Sequence, residues 1–542
     1  MLQGTSGRAR TGDAWSSGRL PQRNGSYMSN GKRAHWGSRL GFILAASGSA
    51  IGLGNIVFFS ASAYRGGGGA FYVPYLIALF VVGLPVLAAE FGLGRAAGGA
   101  FPKALGKYAG KTGEFFGWWG IANALTITMY YISLLAWVTG MGVLSLTGTL
   151  WEPTAAVPAF DVPGQTLDNP VGSFFAMISG DHVLYAVLFV WALNVLLTLR
   201  GTQSIERAVT WMMPTLWLVM ALLAVGGLML PGGTDGLWML VTPDFSALSN
   251  FDVWKGAFSQ IFFTLSLGFG VMSAYSSYLP PDSDDVANSS AVAGLNCLFE
   301  LIAGIAVFAI LASFALTPKA STLAMMFFIV PKGIALLPFG VAALGTLFFA
   351  LLLLAGITSS ISLIEAAVSA IIDKFGYRRE RVVGALALAG FLGSCLFALP
   401  TVIDPGLDAA GTVGLSLLDY VDHYANGYGL MLVGLVECII IGWFLPVESL
   451  MELMNRTSKL RLGTTFAILI RYVVPLVLAT LLIAGAISEV RSGVLYGTNP
   501  SLASGLAALL PMLALAGWLL FTCGLAALLT FARGSRSKDE VV

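Results

Sequence analysis

Twelve long apolar segments determine what this 542-residue chain can fold into. Each is 18 to 36 residues of mainly Leu, Ala, Ile, Phe and Gly, without the period-two alternation of membrane β-strands. A helix needs about 20 apolar residues to cross the hydrocarbon core. We therefore predict an all-α integral membrane protein with twelve spans. The segments are 38–64, 70–95, 115–148, 183–200, 206–231, 255–279, 287–317, 338–373, 380–401, 412–446, 464–488 and 506–532.

Composition and charge placement agree with this prediction. Hydrophobic residues make up 57% and charged residues 11% of the chain, which excludes an ordinary soluble globular protein. The net charge of +1 gives no bias toward nucleic acid. Alternate connections and both terminal segments carry twenty-four Lys and Arg, and the opposite side carries five. The positive-inside rule then predicts that both termini are cytoplasmic in a cell inner (plasma) membrane protein.

The chain divides by this pattern into repeats and tails. Residues 1–35 are polar and are predicted to form a disordered cytoplasmic tail, in which Met28 could be the native start. Residues 36–231 hold helices 1–5, residues 255–446 hold helices 6–10, residues 464–532 hold helices 11–12, and residues 533–542 form a second tail. The four cysteines lie in apolar runs and are assigned to packing, and the three histidines lack metal-ligand spacing.

Two segments are interrupted by glycines. The first contains Gly48-Ser-Ala-Ile-Gly-Leu-Gly-Asn55, and the sixth contains Thr264-Leu-Ser-Leu-Gly-Phe-Gly270. Non-helical backbone at membrane depth is tolerated only where it faces protein or a cavity. Because five segments separate the two interruptions, they fall at corresponding positions of two inverted five-helix units, which is a pointer to a binding site at the midplane. Close packing through small residues is the alternative.

Neutral oxygens surround both interruptions. Asn55, Thr264, Asn296, Thr358 and Ser359 lie in apolar segments, where a polar side chain needs a partner. Neutral carbonyl and hydroxyl oxygens suit a dehydrated hard cation such as Na⁺. Helix capping and interhelix hydrogen bonds remain an alternative for each residue.

The sequence resembles the neurotransmitter:sodium symporters, which share the fold of the bacterial leucine transporter. The matching motifs include SGSAIGLGN at 47–55, GGGGAFYVPY at 66–75, QIFFTLSLGFG at 260–270 and AGITSSIS at 355–362. The resemblance runs in order from residue 32 to 530. It implies a 5+5 inverted-repeat, leucine-transporter-type fold with helices 1 and 6 broken.

The resemblance also implies two sodium sites and one substrate pocket. The first sodium site takes the Ala50 carbonyl, Asn55, Thr264, Asn296 and the substrate carboxylate. The second takes the carbonyls of Gly48, Ile51 and Ala355 with Thr358 and Ser359. The pocket comprises Ser49, Ala50, Gly54, Ile127, Tyr131, Phe263, Thr264, Ser266, Phe269, Ser359 and Leu363.

Two positions narrow the expected ligands. Family members that move monoamines have an acidic residue at the position of Gly52, so a chain with glycine there should take a substrate that carries its own carboxylate. Chloride-independent members resemble this sequence in having a glutamate at Glu300, one turn after Asn296. A carboxylate beside Tyr75, Gln260, Thr264 and Asn296 would replace the halide. A structural buried Glu is the alternative.

The two gates differ in how far they match. Arg33, Trp36, Tyr278 and Asp373 match the inner ion pair of the family and its aromatic cover. At the outer gate Asp422 is kept, but Phe58 stands where relatives have its arginine partner. The Asp422 carboxylate must then protonate, stay hydrated, find another cation such as Arg65, or meet the amino group of a longer substrate.

These features predict a sodium-coupled, chloride-independent symporter of a small zwitterionic amino acid, with two Na⁺ ions and alternating access. A β-amino acid or taurine-like substrate is the runner-up, because Ser49 is small. A substrate sensor without transport is less favoured, and a channel or a membrane enzyme least, since no polar pore or catalytic motif is present. The expected partners are the substrate and the lipid bilayer, not nucleic acid, and the oligomeric state is open.

Overall fold

The protein is an all-helical bundle in a computed structural model that describes residues 35–151, 157–158, 166–167, 170–316, 322–337, 340–400, 412–492 and 506–534. Within these ranges the only β-strands are the antiparallel pair Val157–Pro158 and Thr166–Leu167, and an isolated antiparallel bridge joins Gly68 to Pro243. The helices of the first half are α1 Arg39–Ala50, α2 Gly54–Arg65, α3 Gly69–Ala97, α4 Phe101–Thr147, α5 Val171–Ile178, α6 Val183–Thr198, α7 Thr202–Leu228 and α8 Gly233–Val241.

The second half continues with ten further helices in the described ranges. They are α9 Phe251–Thr264, α10 Val271–Ser276, α11 Asp285–Ser313, α12 Met325–Ala335, α13 Val341–Phe375, α14 Arg379–Phe397, α15 Val413–Phe444, α16 Val447–Asn455, α17 Thr464–Arg491 and α18 Leu506–Phe531. Two short 3₁₀ turns lie at Thr149–Trp151 and Phe245–Ser249.

Nine of the described helices are long and apolar enough to cross a membrane, and two bent helix pairs raise that number to as many as eleven. The pairs are α1 with α2, bent by 57°, and α5 with α6, bent by 83°. The sixth predicted segment consists of α9 and α10, which six residues separate. All twelve predicted segments therefore coincide with described helices, although fewer than twelve meet the length and hydropathy test.

Local sequence signals fix several helix ends. Ser38, Asn250, Asp284 and Thr412 precede α1, α9, α11 and α15, and each side chain accepts a hydrogen bond from a backbone N–H of the first turn. Helix α4 includes a break at Ala109 and Gly110, which separates its N-terminal part from the longer remainder of the helix. Helices α4 and α13 pack along each other and form the centre of the bundle, against which α1 also packs.

Candidate functional site

The first interruption leaves two backbone N–H groups, those of Gly52 and Leu53, that side chains satisfy. Helix α1 ends at Ala50, and Ile51 has an extended conformation with φ −80° and ψ 95°. The Gly52 N–H donates to Asn55 Oδ1 at 2.7 Å, and the Leu53 N–H donates to the Tyr131 hydroxyl at 3.3 Å. The Asn55 amide and the Tyr131 hydroxyl therefore supply the hydrogen bonds that these buried backbone groups need.

The second interruption follows Thr264, where α9 ends. Ser266, Gly268 and Gly270 all have positive φ, of 53°, 74° and 71°. Only glycine enters this region without a steric cost, so the glycines allow the chain to unwind here. The freed Gly268 N–H donates to Glu90 Oε1 at 2.8 Å, and the Ser266 hydroxyl donates to the Ser49 carbonyl at 3.0 Å. The two breaks are thus hydrogen-bonded to each other.

A cavity of about 40 Å³ lies between the two breaks. Every residue that the sequence predicted for the substrate pocket lines it except Thr264, which is buried behind Asn55. Gly52, Leu53 and Asn55 complete the lining. One side is apolar, with Ile127, Phe269 and Leu363. The predicted residues therefore share one small cavity, although their contact with a substrate stays a prediction.

Glycines 52 and 54 are required by close contacts around this cavity. A Cβ atom on Gly52 would lie 2.8 Å from the Ser359 hydroxyl and 3.1 Å from the Tyr131 hydroxyl. A Cβ atom on Gly54 would lie 2.8 Å from Cε1 of Phe263. An acidic side chain at position 52 would have to displace both hydroxyls. Packing therefore supplies a second reason, besides charge, for glycine at this position.

Hydroxyl groups form the floor of the cavity. The Ser49 hydroxyl lies 2.6 Å from the Ser362 hydroxyl and donates to the Ser266 hydroxyl at 3.3 Å. The Ser359 hydroxyl donates to the Ser49 carbonyl at 3.0 Å. Ser362 was not among the predicted residues. It lies one turn beyond Ser359 on α13, and that spacing is the signal that could have found it.

The side chains predicted for the first sodium site meet at one point. Asn55 Nδ2 donates to Thr264 Oγ1 at 2.8 Å and to Asn296 Oδ1 at 2.7 Å. Turning the Asn296 amide brings its nitrogen within 3.3 Å of the Ala50 carbonyl oxygen. A carbonyl, a hydroxyl and two amides thus converge in a fully buried place, where such a set suits a dehydrated cation.

Glu300 lies next to this cluster and is fully buried. Its Oε1 accepts from Gln260 Nε2 and from the Thr264 hydroxyl, both at 2.7 Å, and its Oε2 accepts from the Tyr75 hydroxyl. The Glu300 carboxylate therefore lies among the groups that the sequence associated with it. It also accepts a hydrogen bond from Thr264, which is a predicted sodium ligand. Its negative charge would therefore stabilise a cation in that site.

The groups predicted for the second sodium site also lie together, between α13 and the end of α1. The Thr358 hydroxyl donates to the Ala355 carbonyl at 2.8 Å, and the Ser359 hydroxyl is 3.4 Å from the same oxygen. Gly48 faces Thr358, since a Cβ atom added there would lie 3.3 Å from Cβ of Thr358. Ile51 follows at the break itself. Carbonyls freed by the break thus lie close to two hydroxyls of α13.

On the side of the cavity that the sequence predicts to be cytoplasmic lies a charged network. Trp36 Nε1 donates to the Tyr275 carbonyl at 2.9 Å, and the Tyr278 hydroxyl donates to Glu365 at 3.0 Å. Glu365 is fully buried and forms an ion pair with Arg379. Asp373 Oδ2 accepts from the Ala100 N–H at 2.6 Å. Arg33, the predicted partner of Asp373, lies outside the described residues.

On the opposite side, which the sequence predicts to be extracellular, aromatic rings meet instead. Phe58 packs on Phe263 with a ring separation of 5.7 Å. The Tyr130 hydroxyl donates to Asp422 Oδ1 at 2.6 Å, so Asp422 has found a neutral partner in place of the absent arginine. A vestibule of about 260 Å³ above the rings is lined by Arg65 and Asp422 among other residues. No ion pair between described residues joins these two.

Three further acidic residues in the membrane were missed or left without a role by the sequence analysis. Glu365 pairs with Arg379, and Glu437 on α15 lies fully buried beside Glu90 on α3. A carboxylate inside a membrane span is costly and usually functional, and that was the available signal. Glu90 and Glu437 are remote in sequence, so their proximity could not be predicted, whereas Arg379 follows Glu365 by only 14 residues.

The fold and the site define a class of protein, a membrane transporter with its substrate cavity between two broken helices. The comparisons with known proteins identify the family. The model of the sodium:neurotransmitter symporter family matches residues 33–157 and 177–524, and the chain belongs to that family. Its members are secondary transporters and not enzymes, so the chain is a sodium-dependent, multi-pass membrane transporter.

Individual relatives agree with this assignment. An uncharacterised sodium-dependent transporter of Methanocaldococcus jannaschii is 38% identical over 87% of this chain and 93% of its own length. The sodium-dependent serotonin transporter of Drosophila melanogaster is 27% identical over 83% of this chain and 76% of its own. The crystal structure of MhsT in complex with L-phenylalanine is 30% identical, with a TM-score of 0.71, and covers 83% of this chain and 99% of that one. The predicted fold class is confirmed by this likeness.

Proposed function

We propose that this chain is a sodium-coupled, chloride-independent symporter of a small zwitterionic amino acid, and that it works by alternating access. The observation that carries the substrate class is the lining of the cavity, which includes Gly52 and, among the described residues, no acidic side chain. The cavity therefore offers no carboxylate of its own, and the substrate must bring one. The Tyr131 hydroxyl and the freed N–H groups of α2 are suitable partners for that carboxylate.

The cavity volume limits the size of the substrate. At about 40 Å³ the cavity is small, and Ile127, Phe269 and Leu363 line it, so we expect it to favour a short side chain. MhsT was crystallised with L-phenylalanine, a larger amino acid. The Ser49 and Ser266 hydroxyls, which line the cavity, suit a small or polar substituent. A β-amino acid or taurine remains the second candidate, since either would extend toward these serines.

Two sodium ions are proposed as co-substrates. The first would be held by the Ala50 carbonyl, Asn55, Thr264 and Asn296 together with the substrate carboxylate, which couples ion and substrate binding directly. The second would be held by carbonyls of Gly48, Ile51 and Ala355 with the Thr358 and Ser359 hydroxyls. Because that site joins the hinge of α1 to α13, its occupation would favour one conformation of the hinge. Both termini are proposed to be cytoplasmic, in a cell inner (plasma) membrane.

Uptake into proteoliposomes tests the proposal as a whole. We expect an inward Na⁺ gradient to drive accumulation of small amino acids such as alanine or serine, and an equal K⁺ gradient to give none. Taurine and β-alanine in the same series decide between the two substrate candidates. Sodium-driven uptake of a monoamine without uptake of any amino acid would contradict the proposed substrate class.

The second sodium site is tested by Thr358→Ala. The variant removes one hydroxyl oxygen from the proposed site, and leaving a buried partner unsatisfied costs roughly 1–3 kcal/mol, so we expect apparent Na⁺ affinity to fall about tenfold or more. Thr346→Ala on the same helix is the matched control, because Thr346 also donates to a backbone carbonyl, that of Ala342 at 2.7 Å. Equal Na⁺ dependence in both variants would remove Thr358 from the site.

Chloride independence is tested at Glu300. Uptake should be the same in gluconate and in chloride, while Glu300→Ser should make uptake depend on chloride, because the site then lacks a negative charge and has room for an anion. Glu300→Gln is the matched control. It removes the charge but leaves no space, so chloride should not restore its uptake. A wild-type requirement for chloride would contradict the role given to Glu300.

A further inference from the structure

A carboxylate on α7 holds the cytoplasmic end of α1. Glu206 lies in the second turn of α7, and its Oε2 accepts from the Gly37 N–H while its Oε1 accepts from the Ser38 hydroxyl, both at 2.7 Å. Ser38 is the residue that caps α1, and its hydroxyl oxygen also accepts from the Gly41 N–H at 2.9 Å. One carboxylate therefore binds both the chain entering α1 and its capping side chain.

The surface of α1 is shaped to receive this carboxylate. A Cβ atom on Gly41 would lie 2.1 Å from Oε1 of Glu206 and 2.3 Å from its Cδ. The Glu206 side chain therefore packs directly against the backbone of α1 at Gly41. A second glycine, Gly37, brings its Cα close to the same two oxygens. The first turn of a helix carries partial positive charge on its free N–H groups, and an anion placed there is stabilised.

Helix α1 is the element that links this contact to the substrate cavity. Its last residue, Ala50, lines the cavity, and the extended residue Ile51 separates it from α2 at a bend of 57°. A helix that ends at such a break can swing as a lever about the break. Opening the cavity toward the cytoplasm by this movement would carry the N-terminal end of α1 away from α7.

The other polar contacts at this end of α1 come from different elements. Trp36 binds the Tyr275 carbonyl of α10, and Arg39 Nε donates to Asn288 Oδ1 of α11 at 2.8 Å. From α7, Thr202 donates to the His35 carbonyl at 3.1 Å. Glu206 is the one carboxylate of the described residues that these contacts include. Because Glu206 is half-buried, it can regain water when the contact breaks, which a reversible contact needs.

We propose that Glu206 is a positioning residue of the transport cycle, which latches the capped end of α1 to α7 and biases the transporter toward the state in which the cavity is shut from the cytoplasm. The latch rests on the proposed alternating-access function. It is tested by a readout that needs no substrate, so failure of the latch would leave sodium-driven symport untouched, and failure of symport would leave the latch measurable.

Backbone hydrogen exchange of the full-length protein in lipid nanodiscs measures the latch directly. Glu206→Gln should speed exchange in peptides covering 39–50 by about tenfold, because a charge-assisted pair of hydrogen bonds is lost. Exchange in peptides of α13 should not change. The matched control is Glu380→Gln, which removes an exposed carboxylate from the first turn of α14 on the same side. Wild-type exchange in Glu206→Gln, or faster exchange in α1 and α13 alike, overturns the proposal.

A pair of variants separates the latch from a general loss of stability. Gly41→Ala should open α1 as Glu206→Gln does, since the new methyl group displaces the carboxylate. In a Glu206→Ala background the same Gly41→Ala change should add nothing, because no carboxylate remains to be displaced. Additive effects of the two substitutions would mean that Glu206 and Gly41 act separately, and would refute the latch.

Discussion

The two ends of the substrate path are closed by different physical means. At the end predicted to be cytoplasmic, Glu365 and Arg379 form a buried ion pair that the Tyr278 hydroxyl joins. At the opposite end, the rings of Phe58 and Phe263 meet, and Asp422 is hydrogen-bonded to the neutral side chains of Tyr130 and Asn426. Charge closes one end and aromatic packing closes the other. The two ends should therefore differ in how much a single substitution costs and in how strictly they select geometry.

The free energies of these interactions indicate that the inner end is held closed more strongly than the outer end. Removing one member of a buried ion pair costs about 3–5 kcal/mol, because the other charge stays in a medium of low dielectric. An aromatic pair contributes about 0.5–1.5 kcal/mol beyond burial of its surface, and rings tolerate a range of angles. We infer that the outer end opens and closes at small cost, whereas the inner end is the step that ion and substrate binding must drive.

Arg379→Gln should have the largest effect of the substitutions that break this contrast. The variant leaves Glu365 fully buried without its cation, so we expect uptake to fall by roughly a hundredfold or more. Adding Glu365→Gln should restore part of the activity, because no uncompensated charge remains. Arg381→Gln, two residues away and exposed, is the control and should behave as wild type. A mild loss in Arg379→Gln would mean that the inner end is not closed by charge.

Phe58→Arg should give an intermediate effect, because it makes the outer end resemble the inner one. The new guanidinium can reach the vestibule that Asp422 lines, and a hydrated ion pair contributes about 0.2–1 kcal/mol. We expect unchanged Na⁺ binding and a few-fold loss of affinity for the substrate, larger for longer substrates. Phe58→Leu removes the ring without adding charge. Identical substrate affinities in the wild type, Phe58→Arg and Phe58→Leu would make Phe58 a packing residue without influence on specificity.

Asp422→Asn should have the smallest effect. The amide oxygen can still accept from the Tyr130 hydroxyl, so the hydrogen bond that closes this corner is kept. Uptake should stay within about threefold of wild type, as a neutral hydrogen bond contributes about 1 kcal/mol. Tyr130→Phe gives the comparison, since it removes the donor and keeps the carboxylate. Loss of uptake in Asp422→Asn alone would indicate that the carboxylate meets the substrate.

Much of the bundle could be predicted because its signals are local. The apolar segments mark where helices cross the membrane, and Gly48 to Asn55 and Thr264 to Gly270 mark where two of them unwind. The fold class and the family are confirmed by the comparisons. The residues assigned to the cavity by resemblance do line one cavity, apart from Thr264, although the ligands that they hold stay predictions.

The contacts of Asp422 and Glu206 could not be predicted, because each joins distant parts of the chain. Tyr130 lies on α4 and Asp422 on α15, and Glu206 meets α1 from α7. Sequence analysis indicated that Asp422 lacked its arginine, but it could not choose between water, a cation, a proton and a substrate. The choice depends on which hydroxyl the packing of two helices brings within reach, and a single sequence does not encode that in any local pattern.

The left-handed conformation of Ser266 has a consequence for how this transporter can evolve. Few residues other than glycine, asparagine and aspartate enter that conformation readily, so few replacements at position 266 are acceptable. Ile127 and Leu363 line the same cavity from intact helices, where most apolar side chains are tolerated. New substrate preferences should therefore arise by drift at 127 and 363, while 266 stays nearly fixed across lineages that diverge in what they carry.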